Sequence, residues 1–271
     1  GQWLRVSGEG YDPHGAFIQE GGSEVSVATP ELSLLLRAGA LCNDALLSKE
    51  GGEYQILGDP TEGALVVAAA KAGMDKEKLE EAWPRLDEIP FQSEKQYMAT
   101  LHREGDKQVV YLKGSLERLL PLAAREVSKE GTRLLDEDRK KVFLEASETM
   151  AREAMRVLAI AYMEYPVSIG KLSEEGLKGK LILCGLLGMI DPAREEAKKA
   201  IALCRRGGIK VVMATGDNKV TAQAIGRSLE LKEGSAVTGT DLHQLNAHEL
   251  SDRIEGVSVF PRIEPLHQLR L

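Results

Sequence analysis

The sequence has no long hydrophobic segment. Its most apolar uncharged run, LILCGLLGMI at Leu181–Ile190, is ten residues long, whereas a membrane-spanning helix needs about 20. The chain opens with GQWLRVSGEG, which has neither the apolar segment nor the cleavage site of a signal peptide. These absences predict that no part of the chain spans or contacts a membrane.

Cysteine is scarce as well. The three cysteines, Cys42, Cys184 and Cys204, are unevenly spaced, and no CxxC pair or zinc-type spacing occurs. The five histidines are scattered and form no pair typical of a metal site. The sequence therefore predicts a reduced, cytosol-facing protein without a disulfide framework or a metal centre of its own.

Basic residues are fewer than acidic ones. Lys and Arg number 35 against 42 Asp and Glu, which gives a net charge of −7. A nucleic-acid binder should instead carry a basic surface, so nucleic acid is not expected as a partner. The GxxxxGK[ST] loop of many NTPases is also missing. ATP remains compatible with this composition, because it needs only a local positive pocket.

What the sequence does contain is a change of pattern near residues 188–191. With the apolar run that ends at Ile190, the predicted order is strand, helix, strand, helix, strand. The later elements are a helix at Arg194–Arg206, a strand at Lys210–Ala214, a helix that follows the turn at 215–218 and runs to Leu229, and a strand that begins at Val257–Val259. Short buried strands that alternate with helices are typical of a parallel α/β sheet. The longer part before this boundary predicts a mixed α+β region.

Two helices of the first part begin at Thr29-Pro30 and Asp59-Pro60, because a polar cap followed by Pro favours a helix start. The apolar pattern takes the first helix to Leu47, and Gly73 ends the second. A third helix is predicted at 142–154. Alternating or β-branched segments predict strands at these positions: within 83–103, 108–112, 156–165 and 181–190.

The segment KVVMATGDNKV is a candidate phosphate site, because Thr215, Gly216 and Asp217 follow a buried strand and precede a helix. Ligands gather at the carboxyl ends of strands in open α/β sheets, and backbone N–H groups before a helix suit a phosphate. The alternative is that Thr215 and Asp217 only cap the helix and Gly216 makes the turn.

Glu62 in GDPTEGAL has two interpretations. It occupies the third helical position after Asp59, where a capping-box acid needs no further function, and this is the interpretation that the segment alone favours. The other interpretation is that Glu62 is a binding residue. Lys113-Gly114 and Arg156 lie at predicted strand ends, where a basic residue is either surface or site.

Seven ordered segments together resemble the large cytoplasmic loop of P-type cation-transporting ATPases, most closely the type II group with the calcium and sodium pumps. The resemblance covers nearly the whole chain, and the DPAR and ATGDN motifs are its most specific parts. The segments are ALCNDA (Ala40–Ala45), GDPTEGAL (Gly58–Leu65), IPFQSEKQYMATLH (Ile89–His102), YLKGSLE (Tyr111–Glu117), RVLAIAY (Arg156–Tyr162), Leu186–Ala222 and VFPRIEP (Val259–Pro265).

The resemblance implies an α/β fold class in two parts. Residues 1–188 would form an α+β nucleotide-binding domain, with a mainly antiparallel sheet flanked by helices. Residues 189–271 would form part of a phosphorylation domain, an incomplete parallel α/β region of the haloacid-dehalogenase type.

The resemblance also implies roles for single residues. Glu62 is similar to the residue that faces the adenine amino group, and Phe91 to the aromatic on which adenine stacks. Lys113 and Gly114 match the motif that lines the pocket. The other implied nucleotide-binding residues are Arg156 and Leu158 at ribose and phosphates, Asp191 and Arg194 in the hinge motif, Lys95, and Arg262 of the last segment. Thr215, Gly216 and Asp217 match the loop that holds the transferred phosphoryl group.

Four positions depart from the family pattern. Ala193 replaces a proline of the hinge motif, which changes local stiffness. Gln96 stands where a basic residue is common, and Lys95 is the nearest base. Pro261 replaces an alanine, and Gln268 stands where a lysine would neutralise phosphate, which would weaken stabilisation of a phosphoryl transition state.

The DKTGT segment, whose aspartate takes the phosphoryl group, and the GDGxND segment, which helps to hold Mg²⁺, do not occur in the sequence. The resemblance therefore implies an ATP- and ADP-binding fragment that is inactive alone. Its partners would be the actuator and transmembrane domains of the same pump, at the cytoplasmic face of a membrane.

Two other functions stay open. A soluble haloacid-dehalogenase-type phosphatase with a large cap needs a nucleophilic Asp-x-Asp on a buried strand, and Asp136-x-Asp138 follows no such strand. A non-enzymatic nucleotide-binding module would lack the phosphoryl loop, yet Thr215-Gly216-Asp217 is present.

Overall fold

The structure is a computed structural model. It describes residues 2–8, 10–27, 29–166, 171–190, 195–216, 219–231, 236–245 and 256–263. The chain divides into two compact units. The first unit comprises Gly1–Leu144 and Val157–Leu187, and the second comprises Glu145–Arg156 and Gly188–Leu271.

Strands and helices alternate irregularly through the described residues. The strands are β1 (Leu4–Val6), β2 (Phe17–Gln19), β3 (Leu46–Glu50), β4 (Glu53–Leu57), β5 (Arg85–Gln92), β6 (Tyr97–Glu104), β7 (Lys107–Gly114), β8 (Ala123–Ser128), β9 (Gly131–Leu134), β10 (Arg156–Tyr165), β11 (Leu181–Met189), β12 (Met213–Ala214) and β13 (Val259–Phe260). The helices are α1 (Pro30–Leu41), α2 (Pro60–Lys71), α3 (Lys76–Ala82), α4 (Leu116–Leu119), α5 (Glu137–Arg152), α6 (Glu174–Leu177), α7 (Glu195–Arg206), α8 (Lys219–Ser228) and α9 (Gly239–Gln244).

A mostly antiparallel sheet organises the first unit. Its strand order is β5-β6-β7-β10-β11-β8-β9. The β5–β6, β6–β7, β7–β10 and β8–β9 pairs are antiparallel, and β11 pairs with β8 in parallel. The predicted α+β class with a mainly antiparallel sheet is therefore confirmed, as are the strands predicted at 156–165 and 181–190.

The central strands of this sheet are buried on both faces. Side chains alternate between faces along a strand, so Leu112 and Ala161 enter one apolar cluster while Tyr111 and Ile160 enter another. Helix α1 covers the second face with Ala38 and residues around it. This two-sided burial explains why β6 and β7 have long runs of buried residues instead of an apolar/polar alternation.

Trp83 and His102 make polar contacts on the side of the sheet that α1 covers. The Arg37 guanidinium lies 4.5 Å from the Trp83 ring centroid, and the Trp83 indole N–H donates to Glu104 at 2.9 Å. His102 is fully buried, with Nδ1 2.8 Å from the Trp83 carbonyl oxygen and Nε2 2.9 Å from Thr100 Oγ1. Burial lowers the pKa of His102 to about 4, so this imidazole is neutral near pH 7.

The predicted start of α2 is confirmed, and the predicted end of α1 is wrong. Asp59 caps α2 by accepting from the backbone N–H groups of Thr61 and Glu62. Helix α1 ends at Leu41 and not at Leu47, because the Asn43 carboxamide oxygen accepts from Ala45 N–H at 2.8 Å and turns the chain. The apolar residues beyond it belong to strand β3 instead.

The second unit contains a short parallel pair. Strand β12 pairs with β13 in parallel, through Met213 with Val259 and Ala214 with Phe260. The parallel pairing and the order α7, β12, α8 agree with the arrangement predicted for this part. Strand β12 is shorter than the predicted strand at 210–214, and β13 starts at the last residue of the predicted strand at 257–259. Among the described residues, no helix has both the length and the apolar character needed to cross a membrane.

Candidate functional site

Several of the sequence-predicted binding residues lie at one edge of the first unit's sheet. Strand β5 ends at Gln92, which pairs with Tyr97 at the start of β6; Tyr97 pairs with Gly114 at the end of β7. Gly114 in turn pairs with Ala159 near the start of β10. Because neighbouring strands run in opposite directions, segments far apart in the chain meet at this edge.

An ion pair joins two of these residues at the edge. Lys113 Nζ contacts Glu62 Oε1, and the two side chains are 6% and 17% exposed. Lys113 reaches Glu62 from the face of the sheet that holds Met98 and Ile160, its partners on either side. A pair this buried has lost much of its hydration, so each charge depends on the other to remain stable there.

The Glu62 carboxylate has a second, independent donor. The backbone N–H of Asp44 donates to Glu62 Oε2 at 3.0 Å, while Lys113 holds Oε1. The Asn43 amide group also donates to the backbone carbonyl of Glu62, at 2.9 Å. Glu62 therefore makes contacts beyond its own helix, and its carboxylate orientation is set by groups from two other segments.

Two apolar side chains share this region. Phe91 is 56% exposed, the most exposed aromatic among the large hydrophobic residues described. It directly precedes Gln92 at the end of β5, within a register irregularity between Ile89 and Gln92. Leu158 lies two residues before Ile160 on β10, on the face of Lys113, and is partly buried. An exposed aromatic ring can stack a flat ligand.

The turn after Phe91 contains the basic residue Lys95, which contacts Glu174 of α6. Lys95 forms an ion pair with Glu174, and the hydrogen bond to Glu174 raises the pKa of the Lys95 ammonium. Gln96 has a φ of 58°, in the left-handed region, and its carboxamide oxygen accepts from Arg118 Nε at 3.4 Å. Arg118, to which the sequence assigned no role, therefore brings a cation to the position where Gln96 departs from the family pattern.

Gly114 permits a close approach between strands. A Cβ added there would lie 2.6 Å from the Gln96 carbonyl oxygen and 2.6 Å from Tyr97 Cβ, which is closer than packed atoms tolerate. Any larger residue would displace the turn that connects β5 and β6.

Cys42 is buried in the same apolar cluster as Met98. Burial raises the pKa of its thiol, which donates to the Met98 carbonyl oxygen, so this cysteine is a chemically inert packing residue.

The remaining predicted residues belong to the second unit or lie outside the described residues. Thr215 N–H donates to Phe260 O, and Ile263 N–H donates to Thr215 O, both at 3.0 Å. These bonds bracket Arg262, which is exposed with a φ of 55°. Gly216 and Arg156 are exposed, and Arg156 begins β10. The predicted residues outside the described ones are Asp191, Arg194 and Asp217, with the variant positions Ala193 and Gln268.

This arrangement can bind and orient a ligand. Among the residues described, no three His, Cys, Asp or Glu side chains cluster as metal ligands. The Asp-x-Asp at Asp136 and Asp138 is exposed at the start of α5, where Asp136 accepts from the Arg139 N–H at 2.9 Å. It caps a helix and is not the buried-strand nucleophile that a phosphatase needs.

Sequence reasoning gave no role to Asn43, Asp44 or Arg85, although all three lie behind Glu62. Arg85 pairs with Asp44 at 2.7 Å and donates to the Leu41 and Asn43 carbonyl oxygens. Asn43 and Asp44 lie in the ALCNDA segment of the resemblance, but their Asn-Asp run by itself indicates only a common turn.

A family profile described as the P-type ATPase cytoplasmic domain N matches residues 31–196. This range includes α1 to β11, and therefore the whole edge of the sheet that carries Glu62, Phe91 and Lys113.

Curated relatives match along almost the entire chain. The probable cation-transporting ATPase F of Mycobacterium tuberculosis is 41% identical over 99% of this chain. A calcium-transporting ATPase of Bacillus subtilis is 39% identical over 100% of it, and calcium-transporting ATPase 1 of Lactococcus lactis is 38% identical over 93%. The matched regions span 30%, 31% and 29% of those relatives, so this chain covers about a third of their length.

Proposed function

Because this chain belongs to the P-type ATPases and contains their cytoplasmic domain N, we propose that its first unit binds ATP for a cation-transporting pump. The longer protein would transfer the terminal phosphoryl group to an aspartate outside this sequence and use that step to move a cation across a membrane. In this proposal the nucleotide-binding domain is residues 1–188, which comprise the first unit together with Glu145–Arg156 and Gly188 of the second, and residues 189–271 are part of the phosphorylation domain.

The observation that carries the proposal is the edge of the sheet that holds both the Glu62–Lys113 ion pair and the exposed Phe91. Adenine offers a flat π-face and an amino group that donates hydrogen bonds. Phe91 supplies the stacking surface, Glu62 the acceptor, and Lys113 a cation beside them. Stacking of a base on an aromatic ring contributes about 1–3 kcal/mol.

The described residues fit ATP better than they fit a metal ion. An aromatic, a carboxylate and an ammonium at one sheet edge are groups that a nucleotide uses. Mg²⁺ would be held in the longer protein, by residues outside this chain together with the phosphates. The chain's own part would be to bind the base and to hold the phosphoryl group near Thr215 and Gly216, at the carboxyl end of β12.

Titration calorimetry with ATP and ADP tests the proposal. We expect saturable binding of both nucleotides, and we expect Phe91→Ala to weaken it about tenfold through lost stacking. Leu134→Ala is the matched control, because Leu134 is an apolar residue 69% exposed on β9, at the opposite end of the strand order. Equal affinities for the Phe91→Ala and Leu134→Ala variants would show that the base binds elsewhere.

Incubation with ATP carrying a labelled terminal phosphate tests the assignment of the chemical step. We expect no covalent label on this chain, since the DKTGT aspartate is not in its sequence. A label that survives denaturation would place an acceptor within these 271 residues and overturn the proposed division of labour.

A further inference from the structure

Asn43 lies at the centre of a small network behind the proposed adenine site. It is fully buried, and each polar atom of its carboxamide has a partner. Its oxygen accepts from Ala45 N–H at 2.8 Å, and its nitrogen donates to the carbonyl oxygens of Gly39 and Glu62 at 3.2 and 2.9 Å. One side chain therefore joins the end of α1 to the first turn of α2.

The loop that Asn43 forms is held from outside as well. We name residues Asn43–Ala45 the 43–45 loop. Lys76 Nζ donates to the carbonyl oxygens of Asn43 and Ala45 at 2.9 and 2.7 Å, and Arg85 donates to Asn43 O at 2.7 Å. Lys76 is itself buried, and burial lowers the pKa of its ammonium. Two cations directed at backbone carbonyls leave this loop little freedom.

The network fixes the backbone N–H of Asp44, which contacts Glu62. Asp44 N–H donates to Glu62 Oε2 at 3.0 Å, and Lys113 holds the other oxygen. With both oxygens held, the lone pairs that remain on the carboxylate have fixed directions. A carboxylate in that state accepts hydrogen bonds and donates none.

We propose that Asn43 is the positioning residue for Glu62, and that through the 43–45 loop it sets the preference of the site for a 6-amino purine nucleotide over a 6-oxo one. The inference rests on the proposed ATP-binding function. A 6-amino group donates to the held carboxylate, whereas a 6-oxo group presents an acceptor to an acceptor. Discrimination of this kind is strong only where the site's polar group cannot rotate away.

The test compares ATP with ITP, which differ at this position of the base, by calorimetry on the 271-residue chain. We expect ATP to bind at least about tenfold more tightly than ITP, as one hydrogen bond to a charged group would give. Glu62→Ala should remove the preference. Asn43→Ala should reduce it to within about threefold of unity, mainly by weakening ATP and with little change in ITP.

Two further variants separate positioning from general loss of structure. Lys76→Met keeps an unbranched buried side chain and removes only the cation behind the 43–45 loop, so it should lower the ATP-to-ITP ratio in the same direction even if Asn43→Ala does not fold. Tyr165→Phe removes a 2.9 Å hydrogen bond to Lys171 O at the far end of β10. It should lower the melting temperature and leave the ratio unchanged.

The outcomes are distinct. Absence of ATP binding would overturn the proposed function, whereas a wild-type chain that binds ATP and ITP equally would overturn only the proposed contact with the 6-amino group. A preference that Glu62→Ala abolishes but that Asn43→Ala and Lys76→Met leave intact would overturn only the role of Asn43. A ratio that falls equally in Tyr165→Phe would show that it follows stability and not the position of Glu62.

Discussion

Among the residues that the structure describes, the two units differ in the size of the sheet and of the buried clusters. The first unit folds around a sheet whose strands reach ten residues in β10, with buried apolar clusters on both faces. The second unit has a parallel pair, β12–β13, of two residues per strand. Parallel sheets in stable domains are larger and covered on both faces.

Apolar surface in the second unit points the same way. Leu203 and Ile209 are 64% and 62% exposed. A groove of about 510 Å³ lies between α7 and the segment after α8, lined in part by Ile201 and Leu231. Within the described residues, the first unit has the longer strands and the larger buried clusters, so we expect the second unit to unfold first.

Core truncation should break the comparison most strongly. Leu112 and Phe260 are buried to within 1% in the first and second unit, respectively. Leu112→Ala should lower the free energy of unfolding of the first unit by about 2–5 kcal/mol, and Phe260→Ala that of the second by about 3–5 kcal/mol, because each leaves a cavity. Calorimetry should show two transitions, each shifted by one variant only. A single transition that both variants shift would mean that the units unfold together.

Acid should destabilise the first unit through His102. Burial puts its folded pKa at about 4, below the ordinary 6.5, so between these values the unfolded chain binds a proton that the folded unit does not. Stability is then complete above pH 6.5 and falls by up to about 3 kcal/mol as the pH approaches 4. Urea unfolding at pH 7, 6 and 5 should show this slope in the wild type, and His102→Gln should flatten it. An identical slope in the variant would assign the effect to other groups.

Removal of a helix N-cap can be compared between the two units. Asp59 caps α2 in the first unit, and Thr238 caps α9 in the second through a capping box with Asp241. Asp59→Ala and Thr238→Ala should each cost about 1 kcal/mol of unfolding free energy in their own unit. If the second unit is the less stable one, the same loss should raise its unfolded fraction at 37 °C far more, as amide hydrogen exchange would measure. Equal exchange in the two units would contradict the difference in stability.

The smallest effect is expected at a surface ion pair. Lys107 and Glu164 are 3.7 Å apart, with side chains 63% and 73% exposed. Lys107→Ala should change the unfolding free energy of the first unit by less than about 0.5 kcal/mol, since solvent and salt screen exposed pairs. Chemical denaturation at low and high salt should show this, and a loss above 1 kcal/mol would reveal coupling that the exposed geometry does not suggest.

The sequence predicted the fold where local chemistry and tertiary burial agree. Strand β10 has the bounds expected from its Val, Leu, Ile and Tyr content, and α2 begins at its Asp-Pro cap. The end of α1 was missed because the apolar pattern continues past Leu41, while Asn43 stops the helix through one side-chain hydrogen bond. Hydrophobic periodicity depends on the spacing of apolar residues and does not detect one hydrogen bond between Asn43 and Ala45.

The site was predicted less fully than the fold. Glu62 and Lys113 are 51 positions apart, so no spacing rule could have paired them. The resemblance implied roles for both residues, but it included the 43–45 loop only as part of the ALCNDA segment and implied no role for it. Lys95 was chosen as the nearest base, yet its ion pair with Glu174 depends on how a distant helix packs, which only the tertiary structure reveals.

The location of Trp83 in the first unit has a practical consequence for the unfolding measurements. Both tryptophans and all six tyrosines of the chain fall within the first unit, and Phe260 is the one aromatic among Phe, Tyr and Trp in the residues assigned to the second. The second unit thus has no tryptophan or tyrosine fluorescence, and intrinsic fluorescence follows only the unit that carries Trp83. A thermal melt followed by fluorescence should therefore show only the transition of the first unit, whereas calorimetry should show both transitions. A transition present only in the calorimetric trace would report the unfolding of the second unit.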